Sequence, residues 1–464
     1  MTTTSRQPQP TVSQDTQADA SFPRVSGVPL FGNLLEAWKS PLDLFLRGVA
    51  EQGEDVHLRF LHLDYLLLTR PASVHHVLVA QPERYTKSVN YDGLKVVLGN
   101  GLLTSEGTFW KKQRRLMQPA FHRSRLTGFV DTMGRATLEM LDRWEREGAR
   151  AFDLHQELMR LTFRIVGLTL LSQDLDGDAR AVGEALSVAL EWANAHVESV
   201  VRVPLWMPTP ANLRFKRARA TLDEMVLRLI AERRAAPHDV DQIDLLDMLL
   251  DVQDADTGER MNDEQIKHEL LTLVLAGHET TANALSFLFY LLAKHPDVHA
   301  RVADEARAVI GDRVPTAAEL KQLELTTCVI EEAMRLYPPA WVFERQAQQD
   351  DEIDGRRIRK GTVVGMSPYV VQRSPLHWSE PDRFDPTRFA PAGRSEINKY
   401  VFMPFGGGHR FCIGNQFAMM EMQAIVALLA TRCRFTIAPD FALTLEPMVT
   451  LRPARGIPVT LERV

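Results

Sequence analysis

The sequence predicts a mainly α fold with a small β region, and three observations predict it. From about Ser73 to Ala308 apolar residues recur mostly at helical spacing, and one candidate helix, Met261 to about Ala293, is unusually long. Strand-like runs are short and few: Val56–Phe60, Tyr65–Thr69, and a stretch from Gln346 to Val364 whose Asp354-Gly355 pair suits a hairpin turn, with strand character again near the C-terminus. Length alone, 464 residues, would suggest about three domains. Candidate site residues near 110, 280, 345 and 412 must instead converge on one centre, which favours a single body.

Taken in order, residues 1–22 are rich in Thr, Ser, Gln, Asp and Pro and lack an apolar stretch, so they read as a disordered tail with no membrane anchor. The Pro/Gly punctuation of Pro23-Arg24-Val25-Ser26-Gly27-Val28-Pro29 marks the start of the folded domain, 23–464. Hydrophobic content of 45% and charged content of 25% are ordinary for a soluble globular chain. A net charge of −6 argues against a generic nucleic-acid binder. Three cysteines make no disulfide framework and suit a reducing compartment; Cys328 and Cys433 read as packing residues.

The aspartates at 241, 244, 247 and 251 recur at helical spacing and read as a solvated face opposite Ile243, Leu246 and Leu250. Asp254-Ala255-Asp256-Thr257-Gly258 has some character of a calcium loop, but Glu259 stands where the glycine is required, so a turn is expected. The long helix has Asn262 as its N-cap, Gln265 as a capping-box partner and Lys294-His295-Pro296 as its stop. It would span roughly 50 Å. It is not a membrane span, because His278, Glu279, Thr280, Thr281 and Asn283 interrupt its apolar run.

The most informative stretch is Phe405-Gly406-Gly407-Gly408-His409-Arg410-Phe411-Cys412-Ile413-Gly414, one cysteine in a glycine-rich loop followed by a helix-like run. At average residue usage this spacing arises by chance with a probability on the order of 10⁻⁴ in such a chain. The pattern Phe-x-x-Gly-x-Arg-x-Cys-x-Gly resembles the haem-thiolate signature of the cytochrome P-450 superfamily. The resemblance covers nearly the whole chain after the tail, with its motifs in family order. It implies a single haem-centred domain that binds heme b (iron protoporphyrin IX), with Cys412 as the axial thiolate ligand. Phe405 and Gly414 would belong to the cofactor loop, whose glycines bring backbone N–H groups close to the sulfur, and Arg410 would neutralise a propionate.

The interruption Ala276-Gly277-His278-Glu279-Thr280-Thr281 resembles the family's oxygen-binding pattern. Small residues at 276 and 277 would leave room beside the helix, and Glu279 with Thr280 would relay protons. Without the resemblance, Thr280 would simply back-bond to the Ala276 carbonyl, Glu279 would sit in a salt bridge, and His278 is expected to be a packed side chain. Trp110 and Arg114, at i,i+4, and Arg345 match the family's propionate-binding positions. Glu332 and Arg335, at i,i+3, match its Glu-x-x-Arg pair. The expected Pro-Glu-Arg-Phe segment reads Pro386-Thr387-Arg388-Phe389, so Arg388 would complete a structural triad despite the Thr387 replacement.

The implied substrate pocket takes residues from Tyr91–Leu98, Val197–Met207, Leu273–Ala276, Ala340–Phe343 and Met448–Val449, with Tyr91, Leu94, Leu273, Ala276, Val342 and Met448 foremost. The lining is mostly apolar, as expected for a lipophilic substrate such as a fatty acid, terpenoid or polycyclic secondary metabolite. Val197–Met207, with Trp206, is either a mobile lid or core. Electrons would come from a separate ferredoxin-type donor and its reductase, since no fused redox domain is seen. Lys111, Lys112, Arg114, Arg115, Arg123 and Arg125 form a basic run that suits an acidic donor. The expectation is therefore a cytoplasmic monooxygenase inserting one oxygen atom into a C–H or C=C bond. Peroxide-using or oxygen-independent enzymes, and a non-catalytic haem sensor, are the alternatives; the first two typically lose the acid–alcohol pair that stands here as Glu279-Thr280.

Overall fold

The computed structural model describes residues 21–463, apart from 149, 199–202, 236–243, 252–257 and 259. Most of the expected tail lies outside these residues. Its last residue does not behave as tail: Phe22 is buried against Leu66, Leu68 and Val364, with Arg356 over its ring. Packed chain therefore begins before Pro23, because an aromatic ring at that point covers the sheet.

The helices that build the site are α1 (Tyr91–Leu98), α2 (Gly107–Met117), α3 (Leu154–Leu170), α4 (Ala179–Glu198), α5 (Pro210–Ala235), α6 (Asp263–Lys294), α7 (Glu324–Leu336) and α8 (Asn415–Arg432), with others between them. Helix α6 is the axis of the body. Residues 269–275 and 281–289 are buried on every face, as a helix apolar all round must be. It packs on α3, α5, α7 and α8.

Asn262 caps α6 by accepting from Gln265 N at 2.8 Å. The expected capping box is only half formed. The Gln265 side chain turns instead to Glu269 (2.6 Å) and to the Asn100 carbonyl (3.3 Å). Glu269 is fully buried and needs donors more than an exposed cap does.

The β region lies beside this body. Strands β1 (Val56–Phe60), β2 (Leu63–Leu68), β3 (Tyr85–Thr86), β4 (Phe343–Ala347) and β5 (Val363–Met366) form one sheet in the order β1-β2-β5-β4-β3. The β2–β5 pair is parallel, with Tyr65 opposite Val363, and the other pairs are antiparallel. Asp354 and Gly355 make the expected hairpin turn, both at positive φ, between Asp351–Ile353 and Arg356–Ile358. A last hairpin, β6 (Leu445–Pro447) and β7 (Leu451–Pro453), reaches back to α6.

The expected aspartate face is corrected. Asp244 and Asp247 are buried and both pair with Arg233 of α5 at 2.7 Å. Arg233 arrives from another helix and turns a nominally polar stripe inward; Asp251 stays exposed, while Asp241 and the 254–257 turn lie outside the described residues. Residues 199–202 of the candidate lid also lie outside them. In the described part Trp206 is 77% exposed, so that ring is not core. No helix among the described residues is long and apolar enough to cross a membrane.

Candidate functional site

The loop before α8 is shaped by glycine. Gly406 and Gly408 sit at φ of 75° and 66°, and a Cβ on Gly408 would meet the Leu78 carbonyl oxygen at 2.2 Å. This folding brings Cys412 N to the Phe405 carbonyl at 3.1 Å. Cys412 lies deep within the protein, yet its side chain keeps exposed surface; the thiol therefore opens onto an internal space. Burial pushes the thiol up, opposed by the Gly414 N–H and the Arg114 guanidinium, both of which favour thiolate. On α6, Ala276 is exposed and Gly277 and Thr280 are partly so, midway along an otherwise buried helix. That turn of the helix also faces an internal space.

Cations gather beside the loop. Arg410 pairs with Glu106 (2.5 Å) and lies over the Trp110 ring, 4.1 Å from its centroid. Its Nη1 is buried with no hydrogen-bond partner. Burial draws the Arg410 guanidinium down to about 10, with Arg345 adding to the effect and Glu106 opposing it. Arg345 is buried on β4, and its Nη1 donates to the Glu344 carbonyl oxygen at 2.8 Å. Lys87, after β3, lies 4.1 Å over the Tyr91 ring. Burial holds the Lys87 ammonium well below its ordinary range, with Arg345 and Arg410 adding to the shift. Arg114 is half-buried one turn along α2 from Trp110, within electrostatic reach of Cys412.

This donor set calls for an anion. The cations Lys87, Arg345 and Arg410 outnumber the carboxylates beside them, Glu106 and Glu344, and Glu344 also accepts from Ser88 (2.6 Å) and Asn90 (2.7 Å). A thiol open to the interior, an orphaned Arg410 donor and a loop glycine, Gly406, beside open space with nothing within 4 Å of its Cβ position together suit an iron porphyrin carrying two carboxylates. The residues fit heme b.

On α6 the acid and the alcohol part company. Glu279 is 5% exposed and accepts from the Thr450 hydroxyl at 2.5 Å. Burial raises its carboxyl above the usual range, opposed by Thr450 and then by Arg452. The Thr280 hydroxyl donates to the Ala276 carbonyl at 2.6 Å, the back-bond that a threonine in a helix makes by default. That bond uses its single proton and leaves the oxygen lone pairs to accept. His278 is packed against Phe163, and burial draws it down to about 4, so it is neutral.

Comparison with known proteins decides the family. A family model described as "Cytochrome P450" matches residues 23–459. The chain belongs to the cytochrome P450 family. Its relatives include cyclooctatin synthase of Streptomyces melanosporofaciens, 35% identical over 93% of this chain and 94% of that protein. Cyclooctat-9-en-7-ol 5-monooxygenase of the same organism is 33% identical over 90% of each chain. Pentalenene oxygenase of Streptomyces avermitilis is 33% identical over 92% of this chain and 94% of the other. The protein is thus a mainly α, haem b-binding P450 monooxygenase.

The remaining residues of the P450 site fall into place unevenly. Glu332, Arg335 and Arg388 come together: Arg335 Nε and Nη2 meet the Glu332 carboxylate at 2.6 and 2.8 Å, and Arg388 Nε approaches it at 3.6 Å. The replacement Thr387 donates to Asp385 Oδ1 at 2.5 Å. Among the expected pocket residues, Leu94 and Leu273 lie in the main core with Ala276 open between turns of α6. Val342 instead packs in a different cluster, with Phe45 and Trp341, and Tyr91 sits among the cations. Met448 is held through its carbonyl by Trp341 Nε1 at 2.8 Å.

Sequence reasoning missed Lys87, Glu106, Thr450 and Glu421. Glu421 is fully buried on α8, and neither carboxyl oxygen has a hydrogen bond of good geometry. Burial holds its acid well above the usual range, outweighing the Thr281 hydroxyl nearby. A glutamate three residues after Ala418 in an apolar helical run was the available signal. Lys87 and Thr450 carried none, being ordinary polar residues in short connections.

Proposed function

We propose that this P450 oxygenates a cyclic terpenoid, with Cys412 as the iron ligand and electrons from a separate ferredoxin-type protein. The observation that carries the substrate class is the pairing of apolar residues, Leu94, Leu273 and Ala276, with relatives named for cyclooctat-9-en-7-ol and pentalenene. Heme b supplies the activation of dioxygen when bound. Trp110, Arg114, Arg345 and Arg410 would hold its propionates, joined by Lys87, whose buried ammonium beside Arg345 and Arg410 would gain from an anion. The Gly414 N–H and Arg114 favour the ionised form of the Cys412 sulfur, against the burial that raises it.

Glu279 and Thr280 move protons. A buried carboxyl held above its usual range by burial is suited to giving and regaining a proton, and Thr280 keeps its lone pairs free to hold a proton-bearing group. Exposed Lys111, Arg115, Arg123 and Arg125 lie on α2 and the turn after it. The ring of Phe121, between those two groups, is 3.8 Å from where a Cβ on Gly414 would stand, so the basic surface adjoins the cysteine loop. Such a surface suits an acidic donor.

Substrate class is tested by following the haem spin state while titrating cyclic terpenoid alcohols and straight-chain fatty acids. A saturable shift at micromolar terpenoid, without one for fatty acids, is expected. The reverse order of affinities refutes the terpenoid assignment. Proton transfer is tested with Thr280→Ala: reducing equivalents should leak to hydrogen peroxide, and an unchanged product yield per electron counts against the role.

A further inference from the structure

A hydrogen-bond chain ties the acid of α6 to the turn between β6 and β7. Asn283 Nδ2 donates to Thr450 Oγ1 at 3.1 Å, and Thr450 Oγ1 donates to Glu279 Oε1 at 2.5 Å. All three side chains are buried. With the Glu279 carboxyl ionised the direction follows from inventory: the asparagine amide occupies an acceptor site on the hydroxyl, and the hydroxyl has one proton, which goes to the carboxylate. The turn that carries Thr450 is itself held. Trp341 Nε1 donates to the Met448 carbonyl (2.8 Å), Leu451 N donates to the Pro339 carbonyl (2.9 Å), and Met448 N donates to the Thr450 carbonyl (3.1 Å).

We propose that Thr450 is a positioning residue for Glu279, holding its carboxyl against the β6–β7 turn in the orientation from which it gives and regains protons. Two features make it more than a packing contact. Glu279 makes no salt bridge among the described residues, so its orientation rests on a hydroxyl and not on an ion pair. Asn283, one turn further along the same helix, fixes the hydroxyl from the other side, so acid, hydroxyl and amide form one oriented unit. The charged and titratable groups around it are Arg452 from β7, paired with Glu446 (2.7 Å) and Glu191 (3.9 Å), and two histidines. His155 of α3 bonds to Ser286 (3.1 Å), and His278 is the neighbour of Glu279 on α6.

The inference rests on the proton-transfer reading of Glu279, and the experiment separates the two. In the haem-loaded protein, the infrared carboxyl band present in wild type and absent in Glu279→Gln reports Glu279 directly. In Thr450→Val the charged form loses its hydroxyl donor, so the band's titration midpoint should rise by about one pH unit. Thr450→Ser should return it to the wild-type value. Hydrogen peroxide formed per electron, with a surrogate ferredoxin and reductase, should rise at least about twofold in the valine variant, as for the loss of one charge-assisted hydrogen bond. An unmoved midpoint in Thr450→Val overturns the proposal. So does a moved midpoint with wild-type peroxide yield, provided Glu279→Gln does raise that yield. If Glu279→Gln leaves the yield unchanged, the proton-transfer reading falls instead, and the infrared result still decides whether Thr450 positions the acid.

Discussion

Replacing Arg335 by lysine keeps the charge and removes the fork, and the structure sets the cost. Arg335 is 0% exposed, and its five N–H groups all donate: two to the Glu332 carboxylate, and one each to the carbonyls of Gln372 (2.7 Å), Pro381 (2.6 Å) and Arg383 (3.1 Å). A lysine ammonium has three donors, so at least two of these acceptors lose their partner. Each buried unsatisfied acceptor costs about 1–3 kcal/mol, giving roughly 2–6 kcal/mol. Total stability for a domain is about 5–15 kcal/mol, so the variant should be close to unfolding.

Arg335→Met should be worse, since it also leaves the Glu332 carboxylate with only Arg388 and the Asp385 N–H, and breaking a buried pair costs about 3–5 kcal/mol. Exchanging both partners for apolar residues is often neutral for a buried ion pair. Here the combined Glu332→Leu, Arg335→Met variant should not recover, because three carbonyls and the Asp385 N–H, which donates to Glu332 at 2.8 Å, still lose their partners. The assay is urea unfolding of the haem-loaded protein at pH 7, followed by far-UV circular dichroism. Wild-type stability in either Arg335→Lys or the double variant would refute the reasoning.

Three further outcomes are expected. Glu421 is raised when folded, so its protonated form favours the folded state: that stability is complete below the unfolded pKa and is lost as pH rises towards the folded one. Glu421→Gln should therefore match wild type near pH 4 and become the more stable protein at higher pH, the gap opening by up to ~1.4 kcal/mol per pH unit; parallel stability profiles would refute it. Gly408→Ala should destabilise the cysteine loop by at least ~2 kcal/mol and lower haem occupancy, since φ is positive and the Leu78 carbonyl leaves no room; normal haem content in the purified variant would contradict this. Changing Lys111, Lys112 and Arg115 to glutamine should raise KM for an acidic ferredoxin about tenfold at low salt, with the difference shrinking as salt is added; an unchanged KM and salt slope would remove the docking role.

What could be read from the chain was local. The cysteine loop is a spacing of adjacent residues, the ends of α6 are a cap and a proline, and Glu332 with Arg335 lies on one helical turn; each is set by chemistry within a few positions. What the tertiary structure decided concerns polar groups whose partners come from afar. Asp244 and Asp247 are inside because Arg233 reaches them, and Gln265 leaves its cap because Glu269 is buried beside it. Glu279 is held by a threonine 171 residues away. Periodicity shows which face of a helix is apolar. Whether a charge on the other face meets water or a partner depends on a neighbour that local pattern does not contain, and burial raises the stakes of that meeting to several kcal/mol.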